Sequence, residues 1–122
     1  MKGTDVLVIE DDFVIQLFIE KTLNSLGIKS IDEVSSGEKA LEILETNTPD
    51  LVFIDVGLSG KIDGIETARI IRTRHHIPFV FLSGNTDMVT YTRAKKELPI
   101  AFIKKPIDEE ALASILKKLF GI

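Results

Sequence analysis

The 122-residue sequence contains no cysteine, no tryptophan and one tyrosine, Tyr91. Without cysteine there is no disulfide framework, no thiolate metal site and no thiol nucleophile. No apolar run approaches the roughly 18 residues that a membrane span needs. Asp5 stands where a secretory leader would carry its apolar stretch. These absences fit a cytoplasmic protein that does not enter a membrane. Basic side chains are outnumbered, 15 against 19 acidic, for a net charge of −4. That balance argues against direct nucleic acid binding by this domain.

What is present is an ordinary globular composition, 44% hydrophobic, at a length typical of one domain. The expectation is a single domain over residues 1–122. Its charge is uneven. Residues 1–61 hold 5 basic and 12 acidic side chains, net −7, and residues 62–122 hold 10 basic and 7 acidic, net +3. Two oppositely charged halves of one domain can meet at one site, although solvated surface accounts for most such imbalances.

Short apolar runs alternate with segments of helical period. Val6-Leu7-Val8-Ile9 is continuous and β-branched, as a strand buried on both faces should be. Val14, Leu17 and Phe18 then recur at helical spacing up to Leu26, and Gly27 is a stop. Lys29 to Val34 reads as a short strand. Ser35 with Glu38 reads as a capping box for a helix carrying Leu41 and Leu44, which ends before Pro49. Leu51 to Ile54 is the third strand, and Asp63 with Glu66 caps a helix containing Ile65, Ala68 and Ile71. Pro78 to Leu82 is a fourth strand, Asp87 to Lys96 a weakly amphipathic helix, and Pro99 to Ile103 a fifth strand. Leu112, Ile115, Leu116 and Leu119 give a helical stripe after Asp108. Strands alternating with helices imply a parallel sheet with right-handed crossovers and helices on both faces, a three-layer α/β/α sandwich.

In open sheets of this kind, ligands sit beyond the carboxyl ends of the strands. Those ends carry Glu10-Asp11-Asp12, Asp55, Ser83-Gly84-Asn85 and Lys104-Lys105-Pro106. Two unit charges about 4 Å apart repel by about 4 kcal/mol at an effective dielectric of 20. Gathering Glu10, Asp11 and Asp55 therefore calls for a cation, and a hard divalent ion such as Mg²⁺ (or Mn²⁺) suits carboxylates and retained water. Asp12 has an ordinary role available as the cap of the first helix. Asp55 is a candidate nucleophile, since a carboxylate can form an acyl phosphate. Lys105 offers a point charge to a phosphoryl oxygen, whereas Lys104 points to the opposite side of an extended chain and reads as surface. Ser83 offers a hydroxyl.

These residues, namely Val8-Ile9-Glu10-Asp11-Asp12, Val52-Phe53-Ile54-Asp55, Asp63-Gly64, Phe81-Leu82-Ser83-Gly84 and Phe102-Ile103-Lys104-Lys105-Pro106, resemble the receiver domain of two-component response regulators over essentially the whole chain. The resemblance implies a doubly wound, flavodoxin-like fold with five parallel strands in the order 2-1-3-4-5 and five helices. It implies that Asp55 is the phosphoacceptor and that Asp11, Asp55 and the backbone carbonyl of Gly57 are metal ligands, with Glu10 acting through water. It gives Lys105 the phosphate contact, Ser83 the role of switch hydroxyl and Phe102 that of switch aromatic. The implied donor is a histidine kinase or a histidine phosphotransfer protein. The implied outcome is a changed face formed by the fourth helix, fifth strand and fifth helix, through which a homodimer or a downstream partner could dock. On this reading the domain is not an enzyme beyond catalysing its own phosphorylation and dephosphorylation. The sequence departs from the family where Leu58-Ser59-Gly60-Lys61 replaces the usual Met-Pro, with one extra residue before Asp63-Gly64.

Other readings meet specific obstacles. An aspartate-nucleophile phosphatase commonly needs a second acid two residues after the nucleophile, where this chain has Gly57. A flavin-type cofactor binder needs free backbone donors after the first strand, where Glu10-Asp11-Asp12 would repel a phosphate. A pseudo-receiver, binding partners without accepting phosphate, would have no need of the full set of polar residues.

Overall fold

The apolar runs become strands, and the segments of helical period become the helices between them. The computed structural model describes residues 3–122; Met1 and Lys2, the start of the expected domain, lie outside the described residues. In chain order the elements are β1 (Asp5–Ile9), α1 (Phe13–Ser25), β2 (Ser30–Val34), α2 (Gly37–Leu44), β3 (Leu51–Asp55), α3 (Gly64–Ile70), β4 (Phe79–Ser83), α4 (Met88–Lys95), β5 (Ala101–Lys104) and α5 (Glu109–Phe120). All neighbouring strands pair in parallel, in the order β2-β1-β3-β4-β5. The expected sandwich and strand order are thus the observed ones. Helix α3 differs from the expectation by running on into a π-helical turn, Ile71–His75, which ends at His76 in a left-handed conformation (φ 55°). Strand β5 starts two residues later than the apolar run suggested, because Leu98 also turns left-handed (φ 61°) before it.

Alternation along the strands divides the core. Val6, Val8, Phe53, Val80, Leu82 and Ile103 pack with Ile19 and Leu23 of α1 and Leu112 and Leu116 of α5. Leu7, Ile9, Ile54, Phe79 and Phe81 pack with Ala40 and Leu44 of α2, Ile65 and Ala68 of α3, and Ala94 of α4. Each large apolar side chain so enclosed contributes about 1.5–3 kcal/mol, and a one-residue slip of any strand would exchange its two faces. Register is therefore tightly set, with Ile9 opposite Ile54 and Asp55 opposite Leu82.

Five side-chain caps open the five helices, all at the carboxyl edge of the sheet. Asp12 accepts the N–H of Val14 (2.9 Å), Asp63 that of Glu66 (2.8 Å), Asp87 that of Thr90 (2.7 Å) and Asp108 that of Glu110 (3.1 Å). The cap of α2 is Ser36, accepting from Lys39 N–H at 3.2 Å, and not Ser35 as the Ser-Glu spacing suggested. This places Glu38 at the second helical position. From there its Oε1 accepts the N–H of Ile62 (2.9 Å), which ties the start of α2 to the segment after β3. Hydrogen bonds from the backbone N–H groups of Ile62, Glu38 itself and Lys61 and from the Ser36 hydroxyl, led by Ile62, hold its carboxyl below the usual range.

Gly64 begins α3 directly beneath the end of β3. A Cβ there would overlap the carbonyl oxygen of Asp55. Helix propensity alone favours alanine over glycine by about 1 kcal/mol, but overpacking costs about 1–3 kcal/mol, and here the obstacle is backbone. Gly64→Ala is therefore expected to lower stability to urea by about 1–2 kcal/mol. An unchanged or raised unfolding midpoint would show that the β3–α3 approach is looser than described.

Candidate functional site

The face that β1, β3 and β5 turn toward α1 and α5 is apolar until its last position. Val6 and Val8 lead to Glu10, Leu51 and Phe53 to Asp55, and Ala101 and Ile103 to Lys105. Two-residue spacing therefore delivers two acids and one base to a single edge. Glu10 is fully buried and Asp55 nearly so, 0% and 5% exposed. Lys105 Nζ stands between them, 2.8 Å from Glu10 Oε1 and 3.3 Å from Asp55 Oδ1. Its backbone N–H donates to Ser83 O (2.7 Å), so the end of β4 fixes where the side chain starts. Lys104 is exposed, as its opposite parity requires.

Each carboxylate is also held by backbone. Glu10 Oε2 accepts the N–H of Asp12 (3.0 Å), and Asp55 Oδ1 accepts that of Gly57 (3.0 Å). Asp11 is exposed, and its Oδ2 accepts from the Ser59 hydroxyl at 3.4 Å. Glu10, Asp11 and Asp55 can each offer one oxygen with all three within 4.8 Å of one another. That donor set fits a hard divalent ion: oxygen ligands only, one of them open to the water that Mg²⁺ retains.

Burial chiefly, aided by the Asp55 charge and opposed by Lys105 and the Asp12 N–H, pushes the Glu10 carboxyl up from 4.5 to about 7. Lys105 is affected in the sense that keeps it charged. Burial draws its pKa down, but Glu10 and Asp55 more than compensate, and the ammonium is held above its ordinary value.

A cleft of about 370 Å³ opens beside Asp55 and Lys105, walled by Gly57, Gly84, Asn85 and the start of α4. Of the residues expected at the site, the structure thus brings together Glu10, Asp11, Asp55, Gly57 and Lys105. Ser83 ends β4 half-buried, on the same strand face as Phe79 and Phe81, with its carbonyl engaged by Lys105. Phe102 is half-buried on that face too, between Phe81 (ring centroids 5.6 Å apart) and Tyr91 of α4 (4.8 Å). Sequence reasoning did not single out Ser59 or Asp87 for the site. Asp87 was legible as a helix start, but its place in the cleft wall depends on how α4 lies on the sheet.

The response regulator receiver domain model matches residues 6–117. The chain belongs to the response regulator receiver family. Among curated relatives, the transcriptional regulatory protein PdtaR of Mycobacterium tuberculosis is 31% identical over 103 residues, covering 84% of this chain and 50% of that protein. The receiver spans about half the length of the curated relatives it matches first. Among solved structures, the signal receiver domain of a modulated diguanylate cyclase from Desulfovibrio desulfuricans superposes with TM-score 0.91 at 27% identity, covering 98% of this chain and 95% of that one. The receiver domain of the sensor histidine kinase PA1611 from Pseudomonas aeruginosa, solved with a magnesium ion coordinated in its active site cleft, gives TM-score 0.86 at 27% identity, covering 99% and 100%. Among the described residues of this receiver, no helix is long and apolar enough to cross a membrane.

The raised Glu10 value has a signed consequence. The folded protein holds this proton more tightly than the unfolded chain, so its stabilisation is complete below about 4.5 and lost as pH rises through about 7. Lys105 remains charged throughout that window and adds no slope. Urea unfolding in metal-free buffer is expected to show stability falling between these two pH values, with a shallower fall in Glu10→Gln. A divalent ion held by these carboxylates would need them ionised, so any stabilisation it conferred should grow across the same window. Identical slopes for the wild type and Glu10→Gln would contradict this assignment.

Proposed function

We propose that this receiver accepts a phosphoryl group on Asp55 from the phosphohistidine of a histidine kinase or histidine phosphotransfer protein, with a divalent ion held by the acidic cluster. The observation that carries the reading is Lys105 Nζ lying within 3.3 Å of a carboxylate that borders an open cleft, with two more carboxylates beside it. The magnesium reported in the cleft of the Pseudomonas aeruginosa receiver supports it by similarity.

An oxygen of the Asp55 carboxylate attacks the donor phosphorus. The O–P bond forms as the P–N bond to histidine breaks, and the histidine nitrogen leaves carrying the electron pair and takes up a proton. Gly57 N–H, on Asp55 Oδ1, orients the carboxylate for this attack. Lys105 is a fixed cation against which the arriving phosphoryl oxygens can be neutralised. Asp11, Asp55 and the Gly57 carbonyl would hold Mg²⁺ or Mn²⁺, with Glu10 acting through a water. The ion supplies charge neutralisation at the phosphoryl oxygens. The protein's own part is positioning: no general acid is needed for a histidine leaving group, and the site offers none beside Gly57.

Ser83 and Phe102 then belong to the response. A phosphoryl group at Asp55 draws the Ser83 hydroxyl inward, and Phe102 follows into the space beneath α4. Moving such a two-state switch from 1:99 to 99:1 takes about 5.5 kcal/mol of differential interaction. Several charge-assisted hydrogen bonds can supply that order. The face carrying α4, β5 and α5 would then meet a downstream partner or a second copy.

Incubation with a small acyl phosphate and Mg²⁺ is expected to add one phosphoryl group to the intact protein by mass spectrometry. The addition should be lost in Asp55→Asn and on chelation of the metal. Uptake by Asp55→Asn at the wild-type rate would remove Asp55 from the role.

A further inference from the structure

Helix α4 starts at the cleft, and Thr86, Asp87 and Thr90 line it together with Asp55 and Lys105. A helix start ordinarily presents free N–H groups and a positive dipole end to an anion. Here that end is occupied by the chain's own carboxylate. Asp87 Oδ1 accepts the N–H of Thr90 at 2.7 Å, and these backbone bonds hold its carboxyl below the usual range, so it is anionic at neutral pH. Among the described residues, Lys105 is the only cation lining the cleft, and Glu10 and Asp55 already share it.

The helix that carries this charge is lightly anchored. Ala94 is the only buried residue within α4. Its remaining ties are at the surface or just past its end: Arg93 to Asp63 (3.6 Å), Glu97 to Arg72 (3.0 Å) and Tyr91 against Phe102. Of these, the Arg93–Asp63 pair is exposed on both sides and therefore weak.

We propose that Asp87 is a positioning residue that opposes a phosphoryl-sized anion at Asp55, and that the opposition is relieved by displacement of the α4 N-terminus. This rests on the reading of Asp55 as phosphoacceptor. The same carboxylate that closes the helix end would thus set how tightly the cleft holds the anion and pass its arrival to α4. Phosphorylation places new negative charge in a cleft that the exposed Asp87 also lines, and the element bearing that existing charge has little packing to hold it still.

Asparagine caps helices about as well as aspartate, so Asp87→Asn removes the charge and keeps the cap. The probe is beryllofluoride with Mg²⁺, titrated into wild type, Asp87→Asn and Asp87→Ser while amide spectra are followed. Both variants are expected to bind the probe about threefold to tenfold more tightly, with wild-type thermal stability. The difference should shrink as NaCl approaches 1 M, where the screening length falls to about 3 Å. The shifts of α4 amides on binding should also be smaller than in wild type. Unchanged affinity in both variants, with the probe binding wild type normally, overturns the role of Asp87 alone. Failure of the probe to bind any of the three proteins overturns the phosphoacceptor reading on which it rests.

Discussion

Two carboxylates share one ammonium group at the carboxyl edge of the sheet, and the arrangement of the domain around that edge follows from keeping them together. Glu10 has no exposure of its own, and Lys105 reaches both it and Asp55. Removing one partner from a buried pair costs about 3–5 kcal/mol, so Lys105 ties the two carboxyl groups to one place. Each also stands at the end of an apolar strand face, so the hydrophobic core fixes the strands whose last residues meet. The core supplies the stability and the triad limits what the edge can become. It is a negatively charged pocket with a single fixed cation, suited to a divalent ion and a phosphoryl group and unsuited to a bare anion.

The two sides of the sheet serve different ends. Toward α1 and α5 lie the charged residues, backed by a closely packed cluster. Toward α4 lie Ser83 and Phe102, backed by a helix with little buried surface and a stack of Phe81, Phe102 and Tyr91 rings. A rigid site beside a lightly held helix is the layout expected where a local charge change has to be transmitted, because low-stability elements are the ones that move. Glu38, on α2 in the same layer as α4, fastens the segment after β3 through Ile62, which gives the loop carrying Ser59 a defined course.

Much of this was readable before the fold. β-Branched apolar runs gave β1 and β3, alternating elements gave the parallel sheet, and two-residue parity separated Lys105 from Lys104. Resemblance to receivers then supplied the strand order and residue roles. What was not legible depends on contacts between distant segments. Ser35 and Glu38 have the spacing of a capping box, yet Glu38 bonds to Ile62, and only the packing of α2 beside the β3–α3 loop decides that. The loop from Gly57 to Ile62 departs from the family pattern, so its path could be known only from where Leu58 is buried. The left-handed residues His76 and Leu98 precede β4 and β5, and leucine at least is not a residue type that signals such a turn. The place of Asp87 in the cleft wall is likewise set by the docking of α4.

The central claim is that the carboxyl edge of β1, β3 and β5 forms one divalent-ion site. It is tested most directly by titrating Mg²⁺ into the metal-free protein and following its backbone amides. The account predicts saturable shifts concentrated at residues 10–12, 55–59 and 105, and weakened binding in Asp11→Asn. An absence of saturable shifts, or shifts centred on the opposite edge of the sheet near Asp5 and Asp32, would contradict it.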